Sequence, residues 1–198
     1  MKKNMFQVLL LALCMLSSLS YGQSCKPDIS QLDKITKRST QKWVQSLDHD
    51  RQFWEGSTSE IFAVVGSYGK THAINVELKI LTPSNKQATL GQVYRGAKGN
   101  IFSFGFDKGE PITFTATEVG NTSALGGFSG LATTIVVLAA HVSDKELAAI
   151  RNTLTTKKID AVRIILEGNV IIEREVKEDR GEEMRQKFEC FYQTLDKK

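Results

Sequence analysis

From His72 to Leu81 the chain alternates strictly. Ile74, Val76, Leu78 and Ile80 occupy one set of positions, and Asn75, Glu77 and Lys79 occupy the other. Side chains of a strand point to opposite faces with period two, so this pattern specifies a sheet with one dry face and one wet face. The same period recurs in Phe102, Phe104 and Phe106, then in Ile112, Phe114 and Ala116 across the turn signal Asp107-Lys108-Gly109. That is a hairpin with an aromatic core face.

Other segments complete the inventory. Residues 60–65 (EIFAVV) read as the strand preceding 72–81, and residues 131–142 (LATTIVVLAAHV) as a continuously apolar central strand. Ser143-Asp144-Lys145-Glu146 is a capping box, which starts a helix through Leu147, Ile150, Arg151 and Leu154. Strands 159–166 and 170–176 are joined by Glu167-Gly168-Asn169, where Gly and Asn tolerate the positive φ of a tight turn. Met184, Phe188, Phe191 and Leu195 form one helical stripe. Residues 35–47 fit a strand or an amphipathic helix equally, 91–99 read as an irregular connection, and 121–130 read as a flexible loop. Strands dominate and helices come late. The expected fold is α+β, a mainly antiparallel sheet or open β-barrel packed with two helices in the C-terminal half.

The first 22 residues read as an export signal. Lys2 and Lys3 precede the uncharged apolar run 5–19, and Ser20-Tyr21-Gly22 suits cleavage before Gln23, leaving 23–198 as a single α+β domain. Removing the two lysines leaves 24 basic against 22 acidic residues, so the formal +4 becomes +2. No block of like charge or basic–aromatic interleaving remains, which argues against nucleic acid as a partner. No later run is long enough to span a bilayer. The expected location is secreted or periplasmic.

Cys14 falls within the signal, leaving Cys25 and Cys190, which pair most simply as a disulfide in an oxidising compartment. The alternative is lipid attachment at Cys25, as in an outer-membrane lipoprotein, although Gly22-Gln23-Ser24 lacks the aliphatic residue of a lipobox.

No motif specifies catalysis or a cofactor. Gly66-Ser67-Tyr68-Gly69-Lys70-Thr71 ends like a phosphate-binding loop, but it has two residues between its glycines instead of four, and a strand follows. Gly127-Phe128-Ser129-Gly130 lacks the second glycine and the helix of a nucleophile elbow. His49, His72 and His141 have no metal or triad spacing, and Asp48-His49-Asp50 alone is too few ligands for a cation. Glu182 with Glu183 and Glu173 with Glu175 read as solvated faces, and Asn121-Thr122-Ser123 is a glycosylation sequon. Arg51, Phe53 and Trp54, in an expected loop 51–55, are residue types that favour partner contact.

The mature start Cys25-Lys26-Pro27-Asp28, the following Gln31-Leu32-Asp33-Lys34-Ile35-Thr36-Lys37, and the C-terminal Ser143–Leu147 and Ile159–Ile164 segments carry a resemblance. At these two ends the chain resembles small secreted or envelope proteins of unknown function from Bacteroidetes-type bacteria. The resemblance implies an envelope location and a β-rich fold, and transfers no catalytic residue. The functional expectation is a noncatalytic secreted or envelope-associated domain that binds an envelope or extracellular protein. It would do so through a sheet edge, the 51–55 loop or the Gly-rich loop near Gly126. The alternative is a carrier of a small apolar ligand held between sheet and helices by Phe102, Phe104, Phe106 and Phe114. No cofactor or metal is expected.

Overall fold

The computed structural model describes residues 25–34, 38–54, 57–83, 94–126 and 131–197, excepting the side chains of 51–54 and 125–126. The export signal at 1–22 lies outside the described residues. The fold is the expected α+β arrangement, with ten strands in two antiparallel sheets and both helices in the C-terminal half.

The strands are β1 (Ile29–Leu32), β2 (Ser39–Trp54), β3 (Ser57–Tyr68), β4 (Thr71–Pro83), β5 (Ile101–Phe106), β6 (Ile112–Thr115), β7 (Glu118–Gly126), β8 (Leu131–Val142), β9 (Ile159–Ile165) and β10 (Ile171–Glu175). The helices are α1 (Asp144–Thr156) and α2 (Glu178–Leu195). Sheet A has the order β1-β2-β3-β4-β8-β7 and curls into a half-barrel, while sheet B has the order β10-β9-β5-β6. The chain therefore leaves sheet A after β4, makes the phenylalanine hairpin in sheet B, returns for β7 and β8, and crosses again after α1.

The alternating strands bury the faces their pattern assigns. Ile74, Val76, Leu78 and Ile80 of β4 meet Val65, Ala63 and Ile61 of β3 and Leu138 and Val136 of β8 in one core. Phe102 and Phe104 of β5 face the same core from sheet B, opposite Ile164 and Val162 of β9. The β9–β10 connection is a short 3-10 turn with Gly168 at φ 72° and Asn169 at φ 61°, the conformations expected of that pair.

One open reading is decided and two are corrected. The segment 35–47, which fits strand or helix by sequence, is strand from Ser39, and β2 runs on through Asp48-His49-Asp50-Arg51 to Trp54, where the sequence predicts a loop from Arg51. A register shift between Ser46 and Asp48 breaks the alternation there, which hides the strand from a period-two reading. Arg51, Phe53 and Trp54 thus stand on a strand, although their side chains, with residues 55–56, lie outside the described residues. The expected flexible loop 121–130 is strand through Gly126: β7 pairs with β8 from Glu118↔Ala139 to Gly126↔Leu131. Residues 127–130 lie outside the described residues.

Helix α2 fills the half-barrel. Met184, Phe188 and Phe191 are fully buried, with the Phe191 ring edge-on to Trp43 of β2 at 5.8 Å and Phe188 edge-on to Phe104 of β5 at 6.4 Å. Each such phenylalanine contributes about 1.5–3 kcal/mol by burial. At the start of α2, Gly181 lies against β9, where an added Cβ would sit 2.0 Å from the Ile159 carbonyl oxygen.

The amino end is stapled to the same helix. Cys25 and Cys190 form a disulfide across 165 residues, as expected, which occupies the sulfur that lipid attachment would use. Asp28 accepts from the Val44 amide at 2.6 Å and pairs with Lys187 of α2 at 2.9 Å. No helix among the described residues is long and apolar enough to cross a membrane.

Gly181→Ala separates packing from propensity. Helix propensity alone favours alanine by about 1 kcal/mol. The collision with Ile159 should reverse that sign, giving a net loss of about 2 kcal/mol or more in urea unfolding. An unchanged or raised midpoint would show that α2 does not press on β9.

Candidate functional site

The β3–β4 hairpin turns on Gly69 and Lys70, which places Ser67 directly across from His72. On its other side His72 is paired with Val142, the last residue of β8, and α1 begins two residues later. This ladder brings a serine and a histidine of one hairpin together with the distant Asp144. Ser67 Oγ lies 3.0 Å from His72 Nδ1, and His72 Nε2 lies 3.3 Å from Asp144 Oδ1. A carboxylate only accepts, so it favours hydrogen on Nε2 and leaves Nδ1 to accept from the serine hydroxyl.

The row has the composition of a hydrolytic triad but not its solvation. Ser67 is 3% exposed, whereas the Asp144 side chain is 92% exposed. A nucleophile must be reached by substrate, and the orienting carboxylate is normally the buried member. Here the order is inverted. Within this row the chemistry available is a hydrogen-bonded pin between the hairpin and the first turn of α1, with the His72 ring also edge-on to Phe191 at 5.9 Å.

His72 and Asp144 of the pin line a cleft of about 520 Å³ between the β3–β4 turn and the two helices. Leu147, Ala148 and Leu195 give it apolar walls, and Lys70, Asp144 and Arg151 give it a charged rim. The wall is held by cross-helix bonds. Tyr192 donates its hydroxyl to the Leu147 carbonyl at 2.8 Å, and burial pushes its phenol well above the ordinary range. Arg151 lies over the Tyr192 ring at 5.1 Å and grips Asp196 with its two terminal nitrogens, Nη1 and Nη2, at 2.9 and 2.5 Å. That hydrogen bonding lowers the Asp196 carboxyl and raises Arg151. The capping box at the other end of α1 is formed as expected, and Ser143's hydrogen bonds lower Glu146.

The remaining candidates are dispersed. Asp48 and Asp50 face Arg174 of β10 at 3.5 and 3.3 Å, an ionic bridge between the two sheets, while His49 is exposed beside them. Among the described residues no group of three or more His, Cys, Asp and Glu side chains is placed to hold a metal. Glu182 is drawn to Arg185 at 2.6 Å, and Glu173 pairs with Arg163 at 2.8 Å. Asn121 accepts from the Gly96 N–H and donates to the Gly96 carbonyl, both at 2.9 Å, anchoring the segment that leads into β5. Exposed apolar residues mark the edge strands, Ile29 and Leu32 on β1 and Ile171 on β10.

Sequence reading did not find the Ser67–His72–Asp144 row. The two-residue turn at Gly69-Lys70 was a usable signal for the first pair. Asp144 needed the β4–β8 pairing, which no local pattern encodes.

The depressed carboxyls of Asp196, on the cleft wall, and of Glu146, in the α1 capping box, give a defined pH response. Asp196 and Glu146 bind protons less readily in the folded chain than in the unfolded one. Their contribution is therefore complete above the ordinary carboxylate range and is lost as pH falls through their lowered folded values, below about pH 4. Thermal unfolding temperature should fall on acidification through that window, and by less in Asp196→Asn than in wild type. Equal falls in both would show that the Arg151–Asp196 pair is not the cause. No protein-family model, no curated protein and no solved structure matches the chain.

Proposed function

We propose that this chain is a noncatalytic extracytoplasmic domain that binds a protein partner in the cleft between the β3–β4 turn and the two helices. The observation that carries the reading is the burial order of Ser67, His72 and Asp144. The hydroxyl is sealed beneath the imidazole and the carboxylate is in water, an arrangement suited to fixing a surface rather than attacking a substrate. The disulfide supports an oxidising compartment. The export signal, removed before the domain acts, belongs to the same reading.

The cleft suits a protein segment. Its apolar walls take one or two apolar side chains, and exposed charges of both signs at the rim set register and discourage wrong partners. Carriage of a small apolar ligand by the phenylalanines is less well supported. Phe102 is stacked on Phe114 at 5.1 Å, and Phe104 lies edge-on to Phe114 at 5.8 Å and to Phe188 at 6.4 Å, so the rings fill the space with one another.

Ala148 is exposed on α1 and lines the cleft, so Ala148→Trp fills it without entering the core. Affinity capture from envelope extract should recover a partner with wild type and lose it with Ala148→Trp, at unchanged circular dichroism and unfolding temperature. Recovery by both would place the contact elsewhere. A fluorophosphonate probe should leave Ser67 unmodified in intact-mass measurement, and stoichiometric labelling would reinstate a hydrolase.

A further inference from the structure

The same hairpin forms a second hollow on its opposite face. Where Ile74 and Val76 point into the core, Ala73 and Asn75 alternate outward, to the side of sheet A that α2 does not cover. Such positions are ordinarily wet, yet Ala73 is 3% and Asn75 9% exposed. The hollow, about 530 Å³, arises from small residues on adjoining strands: Ala73 on β4, Ala139 on β8 and Gly120 on β7. Asn75 pairs with Ala139 across one ladder, and Gly120 with Val137 across the next. Larger cross-strand neighbours would have filled the space.

Asn75 lines this hollow, and its Oδ1 is buried without any hydrogen-bond partner. A buried amide oxygen left unpaired is destabilising until a donor reaches it. The charged groups at the rim already satisfy each other, with His141 Nε2 3.0 Å from Glu118 Oε1. Nothing there calls for a charged ligand. The size lies within the range of about 300–1,000 Å³ typical of small-molecule sites.

We propose that this hollow is a binding site for a small neutral molecule with an apolar body and one hydroxyl or amide donor, which Asn75 recognises. The site is separate from the helix-flanked cleft and from the phenylalanine core, and stands whether or not the cleft holds a protein.

Two probes of nearly one shape isolate the donor, para-propylphenol and its methyl ether, para-propylanisole. Titrated into isotope-labelled protein, the phenol should shift the Asn75 side-chain amide and the methyl signals of Ala73, Val137 and Ala139. It should bind about 5-fold more tightly than the ether. In Asn75→Leu that advantage should disappear while the unfolding temperature holds or rises, because leucine replaces an amide whose oxygen is buried and unpaired. Gly120→Val, whose Cβ would meet Val137 at an ordinary 3.6 Å, should fold and exclude both probes. The proposal is overturned if phenol and ether bind wild type alike, if the shifts fall on Phe102 and Phe114, or if Asn75→Leu lowers the unfolding temperature by several degrees.

Discussion

The apolar stripe of α2 is the contact on which both sheets close. Phe191 reaches Trp43 of sheet A and Phe188 reaches Phe104 of sheet B, while Tyr192 bonds to the Leu147 carbonyl of α1. A half-barrel and a four-stranded sheet each have one dry face, and neither can bury it alone. The helix supplies the shared filling. Its approach to β9 depends on Gly181, since any side chain there would collide with the Ile159 carbonyl and lift the helix from the core.

Two polar devices fix what the stripe brings together. The Cys25–Cys190 bridge closes a loop of 165 residues, a constraint on the unfolded chain of about 5 kcal/mol in the entropy model and less where strain intervenes. It also sets the amino end beside Phe191. At the opposite flank the register shift in β2 presents Asp48 and Asp50 to Arg174 of β10, so the break in alternation is where sheet A and sheet B are joined by charge. The partly buried position makes that bridge worth more for alignment than for net stability.

Legibility in the sequence followed solvation. Where one face is dry and the other wet, as in 72–81 and 101–106, the pattern alone specified strand, extent and face. The α2 stripe, the α1 capping box and the cysteine pair were legible for similar reasons, each being a local pattern or a simple count. Residues 39–54 were not, because the register shift moves the apolar positions out of phase and the outer part of the strand is polar. The edge strand β7 carries Gly, Ser and Thr and reads as a loop from Asn121, since little of it is buried. Division into two sheets was illegible altogether: β4 pairs with β8 across some fifty residues, and that choice is made by packing. The cleft inherits this limit, because Ser67 and His72 come from one hairpin but Asp144 arrives only through the β4–β8 ladder.

That inherited geometry decides how the serine, histidine and carboxylate are to be understood. Distances of 3.0 and 3.3 Å would suit a catalytic relay as well as a structural pin. Solvent separates the two. The Asp144 carboxylate stands in water, where screening weakens its hold on the ring. A buried Ser67 can give its hydrogen to His72 but cannot be approached by a carbonyl carbon. What the row does supply is a tie between the tip of a hairpin and the start of a helix, the two edges of the cleft. Under the proposed reading, a surface that holds its shape for a partner gains from such a tie what a reactive centre would lose by it.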